Sequence, residues 1–255
     1  MTDVLRVISV YNMKGGVGKT TTVFNLGVEL AKFQKQVLLI DFDPNSYLSL
    51  YLDDKSDDNM YGLLSLALQG REYDINDYIH HNYHGFDYIA SDVSLTNAGS
   101  FSKTDQMTQA LQETLLRIRK LNKYKYILID CPPSLNLLTI SALSISTGLI
   151  VPVQSQLFAL NSLHKSVIIA KTLNCDIELY GILITMFEHT NMAVAIEEAI
   201  LSNPEFKAAL FSSKISKSAK ASESTYYHEV QKESKMEIEY HGVCEELLAR
   251  LEEKL

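Results

Sequence analysis

The eight residues Lys14-Gly15-Gly16-Val17-Gly18-Lys19-Thr20-Thr21 constrain this chain more than any other stretch. An apolar run from Val4 to Val10 stops just before them, and from Thr22 to Phe33 apolar residues recur with helical spacing. Strand, glycine loop, helix is the order that a phosphate cradle requires. The glycines let the backbone curl until successive N–H groups point at one anion, and the helix that follows adds its positive dipole end. In such a cradle Lys19 sits on the β- and γ-phosphates of a nucleoside triphosphate, and the Thr20 hydroxyl is a ligand of Mg2+.

The loop departs from G-x-x-x-x-G-K-[ST] at its first position, where Met13 stands, and carries a second lysine, Lys14, ahead of Lys19. This resembles the deviant Walker A motif, K-G-G-x-G-K-[ST], of the ParA/MinD family of ATPases. The resemblance implies ATP and Mg2+ as cofactors. It also implies that Gly15, Gly16, Val17, Gly18, Lys19, Thr20 and Thr21 surround the phosphates, with Lys14 reaching across to the phosphates of a second protomer.

Beyond the loop, apolar runs end repeatedly in acids. Val37-Leu38-Leu39-Ile40 closes on Asp41-Phe42-Asp43-Pro44, and Tyr126-Ile127-Leu128-Ile129 closes on Asp130-Cys131-Pro132-Pro133-Ser134. Near-continuous apolar runs suit parallel strands covered on both faces, and their carboxyl ends form the ligand-binding edge of an open sheet. Asp41 and Asp43 are two residues apart, so in an extended segment both side chains emerge on one face; as strand-end acids they also suit capping of the next helix. Four apolar residues followed by Asp130 form the Walker B pattern, whose carboxylate holds the water shell of Mg2+. In the resembled family, the acid at the place of Asp43 orients the attacking water and the acid at the place of Asp41 helps hold the metal shell. The family often continues Q-G-N, whereas this chain reads Asn45-Ser46-Tyr47.

Strands are expected at about residues 4–11, 37–41, 126–130, 148–153 and 180–187, spaced by helices. That alternation predicts an α/β fold: a doubly wound, mostly parallel sheet flanked by helices; the resemblance implies a single P-loop ATPase domain over residues 1–255. Among the helices, Ser102 to Leu121 has Ser102 and Thr104 as candidate N-caps and Met107, Leu111, Leu115 and Ile118 as its buried stripe. The helix Leu135–Ser146 follows the third strand, Phe158 to Leu173 is another helix, and Asn191 is a candidate cap for the next. A final helix carries Val243, Leu247, Leu251 and Leu255 on its apolar stripe and Glu245, Glu246, Glu252 and Glu253 on its other faces, so it should pack on the body. Asp53 to Asn59 reads as an exposed, mobile loop. His80, His81 and His84 have no nearby cysteine or ordered acid to complete a metal site, and read as a solvated loop.

Composition narrows what the site serves. A net charge of −8 and a pI near 5.4 argue against a surface that holds nucleic acid everywhere, and leave room only for a local basic patch. The chain has no run of about 18 apolar residues, and its start, Met1-Thr2-Asp3, leaves no room for a signal peptide. Cys131, Cys175 and Cys244 show no C-x-x-C spacing and read as reduced thiols in a cytoplasmic protein.

The resemblance covers essentially the whole chain. It places the start of the adenine pocket at Thr185-Met186. It also aligns Lys214-Ile215-Ser216-Lys217-Ser218-Ala219-Lys220 with a segment, roughly I-P-R-N-x-R, that closes over the base and binds DNA without sequence preference. Ser216 stands at the proline, and Lys217 and Lys220 stand at the arginines; lysine keeps the charge and loses the bidentate phosphate geometry, so a DNA role survives in weakened form. The implied function is that of a ParA/Soj-type partition ATPase: a homodimer on ATP binding, attached to non-specific DNA, and released when a ParB-type centromere-binding partner stimulates hydrolysis. Cytoplasmic, nucleoid-associated localisation with no membrane contact follows. A MinD-like membrane-cycling positioner would need a basic amphipathic helix at the carboxyl end, where Glu245–Glu253 is acidic. An iron-protein-like electron donor would need a cysteine pair bridging the dimer, and a metabolic kinase has no use for Lys14.

Overall fold

The computed structural model describes residues 5–54, 56–98, 103–218 and 234–252. Within these, seven strands form one sheet in the order β3-β4-β2-β5-β1-β6-β7. They are β1 Arg6–Val10, β2 Val37–Asp41, β3 His80–His81, β4 Asp87–Ile89, β5 Tyr126–Asp130, β6 Gly148–Gln154 and β7 Glu178–Thr185. Every pairing is parallel except β3 with β4, a short antiparallel edge. The five expected strands are therefore present, and β3 and β4 are additional.

Alternation along each strand divides the core in two. Val7, Leu38, Ile40, Ile127 and Ile129 point to one face of the sheet. There they meet Leu63 from α3 (Met60–Leu68), Leu111 from α4 (Thr104–Lys120), Leu138 from α5 (Leu137–Ile145) and Leu163 from α6 (Ala159–Leu173). Ile8, Val10, Val37, Leu39 and Leu128 point the other way, onto α1 (Lys19–Lys32) and the last described helix, α9 (Lys235–Glu252). Each fully buried aliphatic side chain of this kind contributes about 1.5–3 kcal/mol, which explains why strands covered on both faces read as unbroken apolar runs. Gly27 lets α1 lie close on β2, because a Cβ there would fall 2.8 Å from both methyls of Leu39.

The remaining helices are α2 (Tyr47–Tyr51), α7 (Asn191–Leu201) and α8 (Pro204–Ala209). Thr190 caps α7, displacing the expected Asn191 to the first helical position: its hydroxyl accepts from Ala193 N at 3.2 Å. In α4 the described cap is Lys103; the candidate Ser102 lies outside the described residues. Asn59, expected in a mobile loop, is buried and caps α3 by accepting from Gly62 N at 3.1 Å, while Asp54 accepts from the Tyr88 hydroxyl.

The final helix packs on the body as expected, with Tyr240, Val243, Leu247 and Leu251 buried; Leu255 and Glu253 lie outside the described residues. Its acids are used more than the sequence suggests. Glu246 accepts from the backbone N–H groups of Ser212 and Ser213, both at 2.8 Å, and Glu239 accepts from Ser216 N at 2.8 Å and Ser216 Oγ at 2.6 Å. Ser216, where the resembled pattern has proline, thus ties segment 214–217 to α9 through a donor that proline lacks.

Candidate functional site

Register brings the acids together. Asp41 ends β2, Asp130 ends β5, and the two are direct neighbours across the pairing; Val10, which ends β1 just ahead of the segment leading into the glycine loop, pairs with Asp130 on the other side. Three strand ends therefore deliver the loop, the first acid and the Walker B acid to one edge, where an open parallel sheet offers its ligand crevice.

The loop is held from beneath. Asn12 Nδ2 donates to Pro152 O at 2.8 Å, Lys14 N donates to Asn12 Oδ1 at 2.9 Å, and the Thr185 hydroxyl donates to Val17 O at 2.8 Å. Gly16 and Gly18 sit at φ of 70° and 85°, a left-handed conformation that glycine adopts without penalty. Gly18 caps α1 with no side-chain hydrogen bond, and the first turn carries no acid. The helix thus presents uncapped N–H groups and its positive end, the arrangement that suits a phosphate.

Around it lies a cleft of roughly 390 Å³ lined by Gly15, Gly16, Gly18, Lys19, Thr20, Thr21, Asp43, Asn45, Tyr47, Tyr51, Pro133 and Met186. Lys19 is buried, which lowers its pKa against the opposing pull of Asp130, Cys131 and Asp43; its ammonium reaches Lys14 O at 3.4 Å. Lys14 points elsewhere, its Nζ donating to Gln156 Oε1 at 3.0 Å on the exposed rim.

The three acids differ in how they are satisfied. Burial raises Asp41 to about 7 even though it accepts three hydrogen bonds, from Asp43 N at 3.1 Å, Ser49 N at 2.9 Å and Ser49 Oγ at 2.7 Å. Asp130 is equally buried, and among the described residues neither of its oxygens has a partner at hydrogen-bonding geometry. Burial first and the neighbouring Asp41 second push its pKa well above the carboxylate range, eased in part by the Thr20 hydroxyl and Lys19. Asp43 accepts from Asn45 N and Asn45 Nδ2, both at 2.9 Å and both through Oδ1. A carboxylate with two orphaned oxygens next to a lysine and a threonine hydroxyl is a donor set suited to a hydrated divalent cation.

Some expected residues sit differently. Thr185 is buried and acts on the loop backbone, leaving Met186, at φ 49°, as the member of that pair that lines the cleft. Ile215 points into the core beside α9; its backbone pairs with the end of β7, donating to Ile184 O at 2.9 Å and accepting from Phe187 N at 2.8 Å. Lys217 is ion-paired with Glu188 at 2.9 Å and Lys214 with Glu197 at 2.6 Å; Lys220 lies outside the described residues. The histidines diverge: His80 contacts Asp58 O, His81 contacts Asp87 and His84 packs against Phe24 and Tyr83. Among the described residues, no group of three His, Cys, Asp or Glu converges to hold a metal through protein ligands alone. Tyr47 and Tyr51 were not expected at the cleft. The apolar spacing of Leu48, Leu50 and Leu52 suits a short helix but does not tell which side of it faces the loop.

Comparison with known proteins places these features in context. A family model described as an AAA domain matches residues 5–179. The chromosome partitioning protein ParA of Caulobacter vibrioides is 35% identical over 192 residues, 73% of this chain and 72% of that protein. The sporulation initiation inhibitor protein Soj of Bacillus subtilis is 34% identical over 202 residues, 76% of this chain and 78% of that one. Among solved structures, a plasmid partition protein from Borrelia burgdorferi bound to AMPPNP superposes with a TM-score of 0.83 at 24% identity, covering 98% of this chain and all of that one. The cobyrinic acid a,c-diamide synthase of Mycobacterium smegmatis, bound to ADP and magnesium, superposes at 0.81 with 24% identity, covering 99% and 97%.

Proposed function

The chain belongs to the ParA/Soj branch of the ParA/MinD-type P-loop ATPases, and on that premise we propose that it is a Mg2+-dependent ATPase that partitions DNA. The observation that carries this reading is the shared cleft. Glycine-loop backbone, Lys19 and Thr20 form one wall and Asp43 another, with the unpartnered Asp130 buried behind them. In this reading the loop N–H groups, the start of α1 and Lys19 hold the triphosphate. Thr20 and Asp130 hold the magnesium site, and Asp41 braces it through its hydrogen bonds to Asp43 and Ser49. A magnesium ion there supplies neutralisation of charge on the phosphate oxygens. Asp43 orients the water for in-line attack, and Met186 borders the base.

Lys14 is half-buried at the rim, and among the described residues its ammonium has a neutral glutamine as its side-chain partner, so its charge is available to a second copy. Supplied in trans, its charge would act as an arginine finger does. The proposed cycle is an ATP-bound homodimer on non-specific DNA, released by hydrolysis that a ParB-type partner accelerates. Cytoplasmic, nucleoid-associated localisation goes with it, and among the described residues no helix is long and apolar enough to cross a membrane. Cys131 is fully buried, which speaks against a cluster-bridging thiolate. The test is ATP turnover with and without Mg2+, together with co-sedimentation on plasmid DNA. Mg2+-dependent turnover with ATP-dependent pelleting supports the proposal, and turnover-free protein that ignores DNA in every nucleotide state overturns it.

A further inference from the structure

Behind Asp43 lies a closed ring of hydrogen bonds that draws on three separate segments. Asp43 N donates to Asp41 Oδ1 at 3.1 Å, and the Ser49 hydroxyl of α2 donates to Asp41 Oδ2 at 2.7 Å. Ser91 N, just past the end of β4, donates to Ser49 Oγ at 2.8 Å, and the Ser91 hydroxyl donates to Asp43 O at 3.0 Å, which closes the ring. All four residues are buried, between 1% and 6% exposed.

Each serine can give only one hydroxyl proton, and in this ring both protons are assigned. Ser49 Oγ donates forward and accepts behind; Ser91 donates to Asp43 from its side chain and to Ser49 from its backbone. The peptide of Asp43 is consequently fixed at both ends, its N–H on Asp41 and its C=O on Ser91. Its side chain is steadied through Oδ1 alone, and Oδ2 has no donor among the described residues. A group meant to aim a water needs this kind of support, because an error of an ångström in its position is worth about 100-fold in rate.

We infer that Ser49 and Ser91 are positioning residues for the hydrolytic step, setting where the Asp43 carboxylate stands relative to the phosphate end of the cleft. The inference rests on the ATPase reading above. It also gives α2 a part in the site. The helix that carries Ser49 also carries Tyr47 and Tyr51 on the cleft wall, so anything that shifts this wall shifts the Asp43 support with it.

The experiment is steady-state ATP hydrolysis by the full chain with Mg-ATP, plus equilibrium binding of a fluorescent ATP analogue, for wild type, Ser49→Ala, Ser49→Thr, Ser91→Ala and the double alanine variant. Expected are a kcat lower by at least about tenfold in each single alanine variant, analogue affinity within about twofold of wild type, and recovery by Ser49→Thr, which restores the hydroxyl. The double variant should lose little more than either single one, because the first substitution already opens the ring. Unchanged kcat in both single alanine variants, or affinity falling in step with kcat, overturns the inference. Ser49→Thr failing alongside Ser49→Ala also overturns it, provided thermal unfolding shows Ser49→Thr folded. A wild type that does not hydrolyse ATP at all instead refutes the reading on which the inference rests.

Discussion

Replacing Asp130 by asparagine should make the nucleotide-free protein more stable while disabling its site. Asp130 is 1% exposed, neither oxygen has a partner among the described residues, and the carboxylate beside it in register, Asp41, is buried too. Lys19 is the buried cation set against Asp130 and Asp43. An unsatisfied buried polar group costs about 1–3 kcal/mol, and more when charged. Asparagine removes the charge but keeps two polar atoms in the same dry place, so the net gain expected is about 1–2 kcal/mol. For a chain of this length that is a rise in melting temperature of roughly 2–8 °C.

The pH dependence gives a second handle on the same variant. Burial raises Asp41 from its ordinary 3.8 to about 7 and raises Asp130 in the same direction. The folded state therefore keeps protons that the unfolded chain has released. Stability from these acids is fully present below about pH 4 and is lost as pH rises toward and through 7. Asp130→Asn should flatten that slope. Thermal unfolding followed by circular dichroism from pH 5 to 8, with and without Mg-ATP, reads both effects. Wild type should gain about 2.7 kcal/mol at a hundredfold excess of Mg-ATP over its Kd, and the variant clearly less. A variant that melts below wild type without nucleotide, or that gains as much as wild type from Mg-ATP, would refute the reasoning.

Three further variants probe other parts of the molecule. Lys14→Ala should keep ATP binding but lose ATP-dependent dimers and turnover, read by sedimentation and phosphate release; normal dimers would remove the trans-lysine role. Lys217→Glu with Lys220→Glu should abolish binding to non-specific DNA in a filter or pelleting assay, with unchanged binding moving the DNA surface elsewhere, for instance to the basic end of α4. Gly27→Val should lower stability by about 1–3 kcal/mol in denaturant unfolding, because the new side chain collides with the buried Leu39 methyls between α1 and β2.

How much of this was legible in the sequence depends on the range of the interactions involved. The central strands announced themselves because each is covered on both faces, and two of them end in an acid of the site, as Ile40-Asp41 and Ile129-Asp130 show. Strands β3 and β4 did not, since two and three residues are too few to display a period. The support ring was invisible for a different reason: Ser49 and Ser91 are 42 positions apart, and a serine has no pattern of its own until the fold brings its partner. Ile215 shows the reverse error. Its place in a base-covering segment suggested a cleft residue, but pairing with the end of β7 turns its side chain into the core under α9. Lys217 was read as a positive charge for DNA, and the acid that neutralises it, Glu188, comes from the turn after β7; the neighbouring Lys214 is paired in the same way with Glu197 of α7.

The central claim is that two copies of this chain close on ATP and that hydrolysis, directed by Asp43, separates them. Sedimentation velocity of wild type and Asp43→Ala, each with Mg-ATP and with Mg-ADP, tests it most directly. Expected are monomers of both proteins in ADP, a dimer of wild type in ATP that decays as ATP is consumed, and a dimer of Asp43→Ala that persists. Monomers throughout, or an Asp43→Ala dimer that decays at the wild-type rate, would contradict it.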